Sequence, residues 1–460
     1  MKCFHQAYKA MAIVSFVAFA NLVMAQQPAI QYFRQWNQQG VNVFEPTKAD
    51  TVEFDGVKVR IGGAFTQQYQ ALSHENNAAE LLAPDGKTNL NQLYPLGNGF
   101  NLATANLNLD VQLEDGIRLS LENYMSSRHH PEFWVKGGYV QVDKLPMFGN
   151  PDWFSKYLRV KIGHFQVNYG DQQFRRTDNG NAIYNPFVGN YIMDAFTTEI
   201  GGEVYVFPTN DLMLMVGLTG GLINGDVRDY GPNQKKSPSI YTKLAYDKQL
   251  GDDFRLRLSG SMYMNNETPR NTLYGGDRTG SRFYFAMEPQ SFLSGGAVTA
   301  STTANRFTSG RINPGLTNNV ISWQINPFLK FKGLEVFATY EQTQGYANGD
   351  PRREGQTKPD KREVSQMSVE GVYRFFKNEQ VFIGGRYNTV TGALDARIRD
   401  GQQAADLTVN RYEVAAGWFA TKNLLLKGAY INQDYKDFPR TDIRSEGKFN
   451  GFMIEAVLGF

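Results

Sequence analysis

Apolar and polar residues alternate along many short stretches of this chain. In the last nine residues, apolar side chains occupy every second position from Phe452 to Phe460, and the chain stops on that aromatic residue. The segment 254–264 repeats the pattern, with Leu258 on its apolar side and Arg257 on its polar side. A period of two residues indicates a β-strand with one apolar face.

Sixteen segments of this kind follow residue 56. Each has about ten residues or more, which is the length that a strand needs to cross the apolar core of a membrane at a tilt. The predicted strands cover residues 57–69, 100–113, 117–127, 132–142, 157–168, 197–207, 211–220, 239–247, 254–264, 320–331, 334–343, 364–376, 381–389, 408–420, 424–433 and 448–460.

The connections between these segments alternate between short and long. Residues 114–116, 208–210 and 332–333 are short and contain turn-forming residues. Residues 70–99 and 265–319 are long. Short turns on one side and long loops on the other are typical of barrels of the bacterial outer membrane.

The chain is therefore predicted to be all-β, forming a transmembrane antiparallel β-barrel of about sixteen strands with short periplasmic turns and long extracellular loops. An even number of strands puts both termini on the periplasmic side. Eighteen strands is the alternative, because residues 283–285 within the connection 265–319 have the composition of a further strand. A soluble all-β protein is the other alternative.

The first 25 residues have the features of a secretory signal peptide. Lys2 and Lys9 precede or flank an apolar run, and cleavage is expected after Ala25. The only cysteine, Cys3, lies within this segment, so the mature chain is expected to contain no disulfide. Residues 26–55 have no clear period and are predicted to form a periplasmic N-terminal leader, with the barrel following over residues 56–460.

A secreted chain that ends on an alternating strand resembles the proteins of the Gram-negative outer membrane. The final strand of this chain resembles the strand that serves as the insertion signal in such barrels. The residues expected to form that signal here are Phe452, Ile454, Leu458 and Phe460. The expected partners are therefore the lipid of the outer membrane and the barrel-assembly machinery.

Composition agrees with this interpretation and excludes several functions. The chain has 24 Tyr and 32 Phe, which suits two aromatic girdles. Loss of Lys2 and Lys9 with the signal lowers the formal net charge from +2 to 0, so no nucleic-acid partner is expected. No nucleophile motif is present, and His129 and His130 have no companion ligands, so neither an enzyme nor a metal or other cofactor is predicted.

The faces opposite the apolar stripes are charged, which predicts a water-filled lumen. Acidic inward positions at similar depth are Asp110, Glu203, Asp247 and Glu335. They are fewer than the basic ones, so we expect the inner half of the channel to favour anions. The predicted lumen bases are Lys58, Arg60, Arg118, Arg159, Lys161, Arg255, Arg257, Lys330, Arg374 and Lys427.

The third outer loop, residues 169–196, is rich in glycine, asparagine and aromatic residues. Such a loop would be costly to expose, so we expect it to pack inside the lumen. The predicted constriction is formed by Arg175, Arg176, Asp178 and Tyr184. A cap over the outside of the barrel is the alternative.

Two segments resemble the phosphate-selective porin O/P family. They are 138–142, with the sequence GYVQV, and 158–170, with the sequence LRVKIGHFQVNYG. The resemblance implies a sixteen-strand homotrimeric porin whose third loop narrows the pore, with phosphate-like anions as solutes. Asn168 and Tyr169 depart from the Pro-Phe pair that the family has at this point.

The sequence thus predicts an outer-membrane porin for passive diffusion of small hydrophilic solutes, with anion preference. The alternative is a barrel that serves in adhesion, secretion or assembly without transporting solutes. A transporter of hydrophobic substrates would need a plug in the lumen, and residues 26–55 are short for that role.

Overall fold

Sixteen strands close into one antiparallel barrel, and two short hairpins lie in its loops. The structure, a computed structural model, describes residues 27–127, 133–175, 181–232, 234–276, 282–306, 310–394, 398–399, 402–403 and 406–460. The first nine barrel strands are β1 (Lys58–Glu75), β2 (Gly99–Glu114), β3 (Ile117–Ser126), β4 (Trp134–Val142), β5 (Leu158–Gln166), β6 (Thr198–Thr209), β7 (Leu212–Thr219), β8 (Ser239–Gln249) and β9 (Phe254–Asn265).

The remaining strands complete the barrel and its loop hairpins. The hairpins are β10–β11 (Ser291–Ser294 and Ala297–Ala300) and β16–β17 (Ile398–Arg399 and Gln402–Gln403). The other barrel strands are β12 (Asn319–Phe331), β13 (Leu334–Tyr346), β14 (Arg362–Phe375), β15 (Val381–Gly392), β18 (Leu407–Thr421), β19 (Leu424–Lys436) and β20 (Lys448–Gly459).

The last strand closes the barrel against the first. Ala64 of β1 pairs with Gly459 of β20, and the pairing continues to Glu75 and Lys448. Beyond the ladder, the backbone of Phe460 exchanges hydrogen bonds of 3.1 and 3.2 Å with Gly63. Every barrel strand therefore has two neighbours, and no unpaired sheet edge is left in the lipid.

All sixteen predicted strands are present, within a few residues of their predicted ends. The eighteen-strand alternative is wrong, because β10–β11 pairs only with itself and stays outside the barrel. Residues 283–285 form turns instead of a strand. The Phe283 ring lies in the lumen, 5.4 Å from the ring of Phe449.

The two faces of each strand differ in the way that a membrane requires. On β9, Leu258 is 51% exposed to the outside while Arg257 is 3% exposed and faces inward. Exposed apolar residues recur on all the strands around the barrel, as expected for a lipid-facing surface. The prediction of a transmembrane antiparallel β-barrel is confirmed.

The two ends of the barrel are unlike. One end carries short turns such as those at 115–116 and 332–333. The link between β4 and β5 is the exception, and it contains a 3₁₀ turn (Pro146–Phe148) and a short helix, α1 (Asp152–Tyr157). This explains why residues 144–156 are long for a turn. In the described part of the chain, no helix is long and apolar enough to cross a membrane.

Candidate functional site

The segment 27–57 lies inside the barrel at the end with the short turns. Gln31 N donates to Gln112 Oε1 on β2 at 2.8 Å. Gln38 N donates to the carbonyl oxygen of Lys422, in the turn after β18, at 2.8 Å. Asn42 Nδ2 donates to Glu335 Oε1 on β13, which lies seven strands from β2 around the ring of sixteen, so the segment crosses the lumen. These contacts place residues 27–57 within the mouth of the barrel. The predicted domain boundaries and the role of a periplasmic leader stay predictions.

The third outer loop, which joins β5 to β6, also lies in the lumen. Its Tyr191 hydroxyl donates to Glu370 Oε1 on β14 at 2.5 Å, and Ile192 N donates to Asn388 Oδ1 on β15 at 2.7 Å. Lys427 Nζ on β19 donates to three backbone carbonyls of the loop at 2.8–3.0 Å. Together with contacts of Asp171 to β8 and β9, the described parts of this loop line the wall from β8 to β19.

A third segment, around Tyr274, Arg282 and Ile312, fills the lumen at the end with the long loops. The Tyr274 hydroxyl donates to Glu341 Oε1 on β13 at 2.8 Å. Arg282 forms an ion pair of 2.8 Å with Glu455 on β20. Ile312 N donates to the carbonyl oxygen of Ile192 at 2.7 Å, which joins this segment to the third loop.

The two described members of the predicted constriction, Arg175 and Tyr184, do not line a common opening. Arg175 is only 2% exposed, and its guanidinium lies 3.3 Å from Glu370 and 3.8 Å from Glu335. Tyr184 is also buried and donates its hydroxyl to the carbonyl oxygen of Gln35. Arg176 and Asp178 lie outside the described residues, so their role stays a prediction.

A buried cluster of four charged groups joins the N-terminal segment to the third loop and the wall. Glu45 lies 2.7 Å from Lys243 Nζ and 2.6 Å from Arg257 Nη2. Asp171 of the loop contacts the same two bases at 2.6 and 2.7 Å. Two carboxylates thus balance two cations, and Asn168 Nδ2 donates a further bond of 3.0 Å to Glu45.

The two carboxylates of this cluster, Glu45 and Asp171, are stabilised in their ionised form. Burial alone would raise the pKa of Glu45, but Lys243 and Arg257 outweigh that effect and hold its pKa well below the usual range. For Arg34 of the same segment, burial lowers the pKa to about 10. The guanidinium of Arg34 donates to the carbonyl oxygens of Gly40 and Phe174 and lies 3.8 Å from the ring centroid of Tyr184.

The predicted lumen bases point inward, but most of them are neutralised. Among the described residues, only Arg60 of the ten forms no ion pair. The count of bases against acids therefore overstates the positive field of the lumen. The pairs are Lys58–Asp55, Arg118–Asp110, Arg159–Asp143, Lys161–Glu203, Arg255–Asp247, Arg257–Asp171, Lys330–Glu379, Arg374–Glu335 and Lys427–Glu455.

A cavity of about 180 Å³ remains on the opposite side of the lumen. It lies between the wall of β2 to β6 and the N-terminal segment, and the third loop forms its floor. Arg118, Glu122 and Lys161 line it from the strands, and Phe33 and Trp36 line it from the N-terminal segment. The arrangement has charged groups on one side and aromatic rings on the other, which suits a polar solute with an apolar face.

The described residues contain no group of three or more His, Cys, Asp or Glu that could hold a metal ion. His129 and His130 lie outside the described residues. The predictions that the chain is not an enzyme and needs no cofactor stay predictions.

No protein-family model matches the chain. No curated protein matches it either. The predicted resemblance to the phosphate-selective porin family is therefore not confirmed.

Solved structures of outer-membrane proteins, an anion-selective porin among them, resemble the chain in overall shape. OprB of Pseudomonas putida is 10% identical, with 88% of this chain and 94% of that chain covered and a TM-score of 0.49. An anion-selective porin from Comamonas acidovorans is 10% identical, with 88% and 100% covered and a TM-score of 0.47. OmpT of Vibrio cholerae in its trimer form is 11% identical, with 88% and 100% covered and a TM-score of 0.48. The fold assignment rests on this chain's own strand pairing.

Proposed function

We propose that the chain is an outer-membrane channel of the porin type, through which small hydrophilic solutes diffuse passively with a preference for anions. The observation that carries this proposal is the charged cavity along β2 to β6, inside a barrel whose exterior is apolar. A low-dielectric wall concentrates the field of such charges on a passing ion. No energy source is implied.

The preference for anions is supported by bases that lack a carboxylate partner. In the described part of the chain, neither Arg34 nor Arg60 forms an ion pair. Arg34 bonds only to backbone carbonyls in the N-terminal segment and the third loop, and Arg60 lies 5.1 Å from the ring of Phe33. Two cations that stay unbalanced near the cavity would favour anions over cations.

The occupied lumen implies a narrow channel. Among the described residues, the N-terminal segment, the third loop and the segment around Tyr274 fill much of the lumen, and we assign the path of the solute to the side near β2 to β6. Single-channel conductance should therefore be small, and it should rise when residues 28–48 are deleted, because the deletion empties the mouth at the end with the short turns.

The experiment is recording in a planar lipid bilayer with a potassium chloride gradient. The wild type should give discrete current steps, and its reversal potential should have the sign of anion preference. The deletion variant should give larger steps. An absence of steps in both proteins would contradict the channel, and a cation-selective reversal potential would contradict the anion preference.

The packed lumen also favours a second candidate, a closed barrel that serves in adhesion, secretion or assembly. The same recording separates the two proposals. A scaffold barrel gives no steps in the wild type, and deletion of residues 28–48 would then open a pore that the natural protein does not use.

A further inference from the structure

Basic side chains form a ladder on the strand wall of the cavity. The register pairs Arg118 with Gln141 and Gln141 with Lys161, so these side chains form one row across β3, β4 and β5. Neighbouring strands are about 4.8 Å apart, so Arg118 and Lys161 leave the wall about 10 Å apart. Arg159 lies two residues before Lys161 on the same face of β5.

Both arginines, Arg118 and Arg159, retain hydrogen-bond donors that nothing in the described residues accepts. Arg118 donates from Nη1 to Asp110 at 3.0 Å, but its Nε is buried without a partner. Arg159 donates from Nε to Asp143 at 2.8 Å and from Nη1 to the carbonyl oxygen of Pro46 at 2.7 Å, but its Nη2 is buried without a partner. The two residues are only 7% and 3% exposed. A buried donor without an acceptor is costly, and both side chains line the cavity, so a small rotation of either guanidinium towards a bound acceptor would recover that cost.

The charges around this row do not balance. Asp143 is shared by Arg159 and Lys48, at 2.8 and 3.0 Å. Asp110 pairs with Arg118, and Lys161 is 3.5 Å from Glu203. Glu122, which also lines the cavity, pairs with Lys136 at 3.4 Å. Among the described residues, five bases thus face four carboxylates, which leaves one positive charge that a single anion would neutralise.

Facing this row, the N-terminal segment presents an aromatic surface. Phe33 and Trp36 line the cavity, and the ring of Phe33 lies 5.5 Å from the guanidinium carbon of Arg118. The ring of Tyr32 lies 5.5 Å from the guanidinium carbon of Arg159. A carboxylate matches the planar donors of arginine, whereas an apolar face matches the rings. Inorganic phosphate would satisfy the donors but leave the aromatic surface unused.

We propose that this cavity is a binding site for a small organic monocarboxylate with an apolar face. The carboxylate contacts Arg118, Arg159 and Lys161, and the apolar face packs against Phe33 and Trp36. As a step in solute passage the site rests on the proposed channel function, but its binding can be measured without any current.

The experiment is isothermal titration of the full, detergent-folded barrel with benzoate. The comparison ligands are benzyl alcohol, which has the ring without the charge, and inorganic phosphate, which has charge without a ring. The test variants are Lys161→Gln, which removes one cation, and Arg118→Lys, which keeps the charge but loses the Nε donor. Lys330→Gln is the matched control, because Lys330 is also an inward base near the short turns but pairs with Glu379 in the turn between β14 and β15, away from the cavity.

Benzoate should bind the wild type and the Lys330→Gln control alike, and at least tenfold more weakly in both test variants. Benzyl alcohol should give no heat of binding, and phosphate should bind more weakly than benzoate. Absence of benzoate binding would overturn the proposal, as would equal losses in Lys161→Gln and Lys330→Gln. Tighter binding of phosphate would show an inorganic-anion site. If Arg118→Lys fails to fold, Lys161→Gln decides. Benzoate binding by a barrel that conducts no current would refute the channel and leave the site standing.

Discussion

At the scale of single residues, charge pairing decides what the lumen presents to a solute. The inward direction of Arg257, Lys427 and Glu455 follows from the period of two. Their partners could not be predicted, because Arg257 meets Glu45 across 212 positions of sequence. Arg175 shows the same limit. The sequence predicts that Arg175 lies in the lumen, but its partner Glu370 is 195 positions away in the sequence.

The cluster around Glu45 gives a test of how the N-terminal segment is held. The pKa of Glu45 is lowered in the folded protein, so its contribution is complete above the unfolded value of about 4.3 and is lost as the pH falls through the lowered pKa. Glu45→Gln should therefore loosen the segment at pH 7. Loss of one partner of a buried pair costs roughly 3–5 kcal/mol, and Asp171 retains part of the pairing, so the effect should be smaller than that.

The measurement is the rate of proteolytic cleavage within residues 27–57 of the detergent-folded barrel, with Lys156→Gln on the exposed helix α1 as a surface control. Glu45→Gln should be cut roughly tenfold faster than the wild type or more at pH 7, consistent with 1.4 kcal/mol for each factor of ten. The difference should narrow in strong acid, with an acid-active protease. Equal rates at pH 7 would mean that the cluster does not hold the segment.

At the scale of elements, the strands were predictable and the lumen segments only in part. Each strand carries its own signal, because one face meets lipid and the other meets polar groups. The third loop has an unusual aromatic content, and that content predicted its position in the lumen. Residues 27–57 have no period, and their contacts with Gln112, Glu335 and Lys422 depend on a barrel that must close first. The alternative of a further strand at residues 283–285 is excluded by their packing in the lumen, where Phe283 contacts Phe449, and that packing also depends on the closed barrel.

The lipid-facing stripe of β9 provides a test at this scale. Leu258→Arg should destabilise the barrel by about 2–4 kcal/mol, because it places a charge near the middle of the membrane. Leu258→Ala keeps the site apolar and is the matched control. Ser259 is a poor control, since it is 1% exposed and an arginine there would displace the packed lumen.

Urea unfolding of the reconstituted barrel gives the comparison. A loss of unfolding free energy that is clearly larger for Leu258→Arg than for Leu258→Ala supports the assigned lipid face. Equal losses would indicate that Leu258 does not face lipid.

At the scale of the whole molecule, the closure of the barrel and the filling of its lumen act together. The pairing of β20 with β1 brings Phe460 to Gly63, and the N-terminal segment then crosses the closed mouth. The insertion role of Phe452, Ile454, Leu458 and Phe460 stays a prediction, although the exposed faces of these residues lie on the lipid side. The homotrimer also stays a prediction.

The central claim is that solutes pass along β2 to β6 and not along the wall that the third loop covers.

Modification of single cysteines during bilayer recording tests that claim most directly. The only natural cysteine, Cys3, belongs to the predicted signal peptide, so introduced thiols are the only targets in the mature chain. Glu122→Cys places a thiol in the cavity, and Ser368→Cys places one on the covered wall, where Ser368 is 1% exposed. A negatively charged methanethiosulfonate reagent should reduce the conductance of Glu122→Cys and leave Ser368→Cys unchanged. Block of Ser368→Cys without block of Glu122→Cys would place the path on the other wall and contradict the account.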